Sequence, residues 1–145
     1  MLKTMNKMDV AVAQLETALK LYFSNGCRIS VTTLAGAAEE ILGRYVEIKG
    51  EETALSETVR IVCLFHKKRC GMTPKHAPIK AMANFAKNSF KHMDQELDFD
   101  ITLDIEEEAI DMLNRATDNY WKLTLSLTPL MERYEEFRRT GIDKR

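Results

Sequence analysis

Asn88 and His92 stand four residues apart, a spacing that brings two side chains together on one face of a helix. Lys91 and Asn84 flank that face, and Lys80 and Lys87 extend it. A histidine titrates near neutral pH. Beside amides and lysines it suits proton transfer at a phosphodiester, or contact with a phosphate. A plainer role competes with this one: at a helix end, His92 can also interact with the last carbonyls and the helix dipole.

The other reactive residues organise less well. Cys63, His66 and Cys70 fall at i, i+3 and i+7 of one helix and, with Cys27 or His76, have the chemistry of a zinc set. The paired knuckles of zinc modules are missing, however, and Cys63 and His66 belong to an apolar stripe, so buried thiols are the reading and no metal or cofactor is expected. Asp94, Glu96, Asp98 and Asp100 cannot open a calcium loop, because Phe99 takes the glycine position and Ile105 the closing glutamate position. The chain has no glycine-rich phosphate loop and no nucleophile elbow.

Charge is unevenly placed. The 145 residues carry a net charge of −1, with 45% hydrophobic and 30% charged residues. That is the composition of a globular chain rather than a disordered one. Yet Arg60 to His92 holds eight Lys or Arg and no acid, and Met93 to Asp118 holds ten acids and one base, Arg115. The two segments can pair within the fold, meet across a dimer, or serve a phosphate-bearing ligand. Three cysteines at irregular spacing do not make a secreted disulfide framework. With no membrane-length apolar run and no signal-peptide layout, the expected compartment is the cytoplasm.

These residues need helices to position them. Apolar residues repeat at helical spacing over about Met8–Ser24, Val31–Lys49, Glu52–Cys70, His76 or Pro78 to Met93, Glu106–Ser126 and Pro129–Arg139. Asn25-Gly26, Gly50, Gly71 and Thr128-Pro129 punctuate them. The small run Ala35-Gly36-Ala37-Ala38 predicts close approach of another helix. In the third helix Leu55, Val59, Val62, Cys63 and His66 form one stripe, and Ile61, Leu64 and Phe65 add apolar surface elsewhere, so this helix is expected to be central. In the fourth, Ile79, Met82, Ala83, Ala86, Phe90 and Met93 should face the core. Lys80, Asn84, Lys87, Asn88 and Lys91 should face away. Between Leu97 and Ile105 apolar and polar residues alternate, which predicts an extended crossover or a short strand pairing with its copy in a dimer. The expectation is an all-α bundle of five or six helices with one extended segment near residues 97–105, forming a single domain over residues 1–145.

Two resemblances attach to particular stretches. Thr33-Leu-Ala-Gly-Ala-Ala-Glu-Glu-Ile-Leu-Gly43 together with Asn88-Ser-Phe-Lys-His-Met-Asp94 is similar to a set of small bacterial helical proteins of unassigned function. More distantly, Lys87-Asn88-Ser-Phe-Lys-His92 in its helical setting resembles HEPN domains, whose motif is an arginine, often an asparagine, then a histidine. The HEPN resemblance implies a dimeric helical bundle of a defence or toxin–antitoxin system. In its enzymatic form it implies RNA cleavage without metal, His92 as general acid or base, Asn88 orienting it, and Lys87 and Lys91 on phosphate, with Asn84 and Lys80 beside them. Lys87 stands where the motif has arginine, which keeps the charge but loses the bidentate fork. The competing class is a non-catalytic homodimeric interaction or regulatory module, with a cognate protein partner.

Overall fold

The computed structural model describes residues 1–93 and 99–143. Its order is α1 (Lys7–Phe23), α2 (Arg28–Ile48), α3 (Ala54–Cys70), α4 (His76–Ala83), α5 (Phe85–Ser89), α6 (Ile105–Thr124) and α7 (Pro129–Thr140). The described residues are all-helical outside turns and irregular segments, and no strand occurs among them. The expected strip is irregular over the described residues 99–104, and its first two positions lie outside the described residues.

Local chemistry sets the boundaries. Asn6 opens α1 by accepting from the Met8 N–H, and Thr53, Asp104 and Thr128 open α3, α6 and α7 in the same way. Asn25, in a left-handed conformation at φ 55°, turns the chain from α1 into α2. Gly71 and Gly141 close α3 and α7 at φ 72° and 70°.

The body is a packing of α1, α2, α6 and α7. The broadest contacts are those of α2 with α6 and with α1. Leu15, Leu19, Leu42, Met112, Leu113, Met131 and Tyr134 are fully enclosed there. Each such side chain contributes roughly 1.5–3 kcal/mol by leaving water. Tyr22, Phe23, Tyr134 and Phe137 close one end as an edge-to-face aromatic group.

α3 does not sit at the centre. It packs mainly on α4 and α6; Ala54 is buried at its start, and Leu55, Val59 and Cys63 pack against Ile79 and Ala83. Asn119 of α6 ties it to the body, accepting from the Ala54 N–H at 2.8 Å and donating to the Glu39 carbonyl at 3.3 Å. The expected central position is therefore corrected: α3 flanks the body, and Ile61, Leu64 and Phe65 are exposed at 40%, 51% and 64%.

The expected fourth helix is two helices, so the count among the described residues rises to seven. It breaks at Asn84, where φ is −107° and ψ is 3°. Arg115 causes the break to hold: its guanidinium donates to the Ala83 carbonyl and to Asn84 Oδ1, both at 2.7 Å. That carbonyl would otherwise serve the next helical turn.

Candidate functional site

The break at Asn84 turns α5 toward the body, and a buried ionic group results. Lys87 Nζ lies 3.0 Å from Glu39 Oε2 and 3.7 Å from Glu40 Oε2. Arg115 donates to the other Glu39 oxygen at 2.9 Å and to Asp111 at 3.3 Å. Glu39, Lys87 and Arg115 are 4%, 5% and 2% exposed. Burial opposes ionisation of Glu39, yet the two cations outweigh it and hold its carboxyl below the usual range. Asp111 is shifted the other way: burial raises it more than Arg115 lowers it. Glu108 is also raised, by burial and by repulsion from Asp111 and Glu107.

α2 is shaped to admit this group. A Cβ on Gly36 would meet Cβ and Cδ of Lys87 at 3.1 Å. The small run in α2 thus lets the lysine stem cross the helix close to its backbone, the tight approach that the sequence predicts there. A Cβ on Gly43 would meet Asn119 Nδ2 at 3.3 Å, so α6 also comes close about two helical turns further along.

The six site residues expected from the sequence divide into two groups. Lys80, Asn84 and Lys87 line one cavity of about 340 Å³ between α2 and the α4–α5 pair, facing Glu39, Glu40 and Arg44. Their expected outward placement is corrected for Lys87, because its ammonium is buried on Glu39. Conversely, Met82 and Met93, expected to face the core, are exposed, whereas Ile79, Ala83 and Ala86 do pack inward. Asn88, Lys91 and His92 form the second group, exposed at the end of α5. α5 ends at Ser89, between the two, and the His92 N–H still donates to the Asn88 carbonyl at 3.0 Å. Lys91 also edges an apolar groove of about 550 Å³ along α2, with Ile41, Tyr45 and Ile48 on its floor and Lys7 at its rim.

Sequence reasoning missed Glu39 and Arg115. Arg115 is the single base within ten acids, and Glu39 shares a helix face with Gly36 and Gly43. Those were the available signals. The expected burial of the thiols is corrected: Cys63 is buried, but Cys27 and Cys70 are exposed, and so are Val62 and His66 of the expected stripe, His66 Nδ1 lying 2.9 Å from the Met72 carbonyl. Among the described residues no three His, Cys, Asp or Glu side chains gather as metal ligands, and no helix is long and apolar enough to cross a membrane.

Among the described residues the two charged segments pair elsewhere. Arg60 pairs with Glu52, and Lys87 with Glu39 and Glu40. The acids of the other segment pair with Arg28, Arg115 and Arg138. Among the described residues, no ion pair joins the basic segment to the acidic one.

Protein-family models, curated proteins and solved structures were compared with this chain, and none matches.

Proposed function

We propose that this protein works by association, as a non-catalytic helical interaction module. One observation carries the reading. α3 has apolar residues on two opposite faces, and the chain buries only one of them. Leu55, Val59 and Cys63 point to α4, while Ile61, Leu64 and Phe65 point away from the body. A helix hydrophobic on two sides is stable in water when both are covered. The basic segment, unmatched by the acidic one among the described residues, adds charge for a partner to meet.

A second reading retains the HEPN-like resemblance, favoured by the exposure of Asn88, Lys91 and His92 at one helix end. In that reading His92 transfers the proton, Asn88 orients it and Lys91 meets phosphate. Lys87 counts against it, since its charge is already matched by Glu39.

Incubation of the purified protein with RNA in EDTA separates the two. The module reading expects intact RNA for the wild type and for a His92→Ala variant alike. Cleavage by the wild type that the variant lacks would overturn it in favour of the ribonuclease.

A further inference from the structure

We infer that the partner covering the outer face of α3 is the α3 of a second copy, packed antiparallel about a twofold axis between residues 62 and 63. This rests on the interaction-module reading and names its partner.

The outer face is the row Glu57, Ile61, Leu64 and Lys68, with Phe65 beside it. The spacing four, three, four keeps these positions on one side of a helix. It also reads the same in both directions, so a twofold axis at its midpoint sets Ile61 on Leu64 of the other copy. The same axis sets Lys68 on Glu57, twice. An isologous contact requires this kind of self-complementarity.

Charge along α3 selects the antiparallel arrangement. The first turn carries Glu57, while Glu52 before the helix is held by Arg60, and the last turn carries Lys67, Lys68 and Arg69. A parallel pair would set like charge on like charge, whereas an antiparallel pair matches acid to base at both ends and opposes the two helix dipoles. Glu57 accepts from Lys122 of its own chain at 2.7 Å, and its side chain is still 43% exposed. It can therefore meet a second cation. Ile61, Leu64 and Phe65 supply the apolar centre, and the charged ends form the rim. One helix pair buries an area at the low end for specific complexes, below about 1,200 Å² in total, so the dimer should dissociate on dilution.

The test uses the full chain and three variants, each confirmed as helical by circular dichroism. Sedimentation equilibrium should show a monomer–dimer exchange that weakens with added salt. Phe65→Asp should weaken it by about tenfold or more. Lys68→Glu and Glu57→Lys should each weaken it alone, and an equimolar mixture of the two should recover it, because only the mixed dimer restores both end contacts. Recovery on mixing supports the twofold pairing. A wild-type chain that stays monomeric, a dimer indifferent to Phe65→Asp, or a mixture no better than its components overturns it. These outcomes concern the identity of the partner, whereas RNA cleavage dependent on His92 is what overturns the module reading itself.

Discussion

At the scale of single residues, the decisive group is Glu39 with Lys87 and Arg115. Two cations share one buried carboxylate, and each is costly to leave without it. Lys87→Met leaves Glu39 still held by Arg115 and should destabilise the fold by about 1–3 kcal/mol in urea denaturation, the usual range for losing one hydrogen-bond partner of a buried charged group. Lys80→Met, which changes an exposed lysine of the same cavity, should stay within about 0.5 kcal/mol. Equal small losses in both would mean that Lys87 is solvated. The pH dependence follows from the directions of the shifts. The Glu39 carboxyl is held below its unfolded value of 4.5, so its contribution is present above that pH and is lost as pH falls through the folded value. Glu108 has the opposite sign. Its folded value is raised, so its charged form weakens the fold as pH rises. Glu108→Gln should then raise the melting temperature at pH 7, with the gain vanishing at acid pH where both forms are neutral. No gain at pH 7 would show that Glu108 is not strained by its neighbours. The Glu39 effect could not be read from sequence, since Lys87 and Glu39 are 48 residues apart and Arg115 and Glu39 are 76 apart, whereas the acids that act on Glu108 lie within four residues of it.

At the scale of elements, most helices were legible because their causes are local. Capping by Thr53 and Thr128, proline at the first turn of α7 and glycines after α3 and α7 all act within a few residues. The small run around Gly36 also announced a close helix contact, though not which helix would make it. The break at Asn84 was not legible. No glycine or proline marks it, and the group that holds it open comes from Arg115, 31 residues away. Once the chain breaks there, the helical wheel used for Lys87 and Met93 no longer applies, which explains why Lys87 turns inward and Met93 outward. Gly36 should be the most sensitive point of this contact. Gly36→Val would press on the Lys87 stem, whose Cβ is fixed by the backbone of α5. It should speed amide hydrogen exchange in α5 by at least about tenfold while leaving α1 and α7 protected, because the opening is local. Uniform faster exchange throughout would place the strain elsewhere.

At the scale of the whole molecule, two asymmetries remain after folding: an apolar face on α3 without a partner, and a basic segment that does not meet the acidic one among the described residues. The sequence showed both ingredients. It showed α3 as apolar on more than one side, which implies burial on more than one side. It could not show that the chain would supply only one cover. That missing cover, rather than the histidine at the end of α5, carries the functional reading. The most direct measurement is the light-scattering mass of the wild type at concentrations of about 10–100 μM, beside an Ile61→Ser/Phe65→Ser variant. The wild-type mass should exceed the 16.6 kDa of one chain and rise with concentration, and the variant should stay at 16.6 kDa. Identical masses for the two proteins would contradict it.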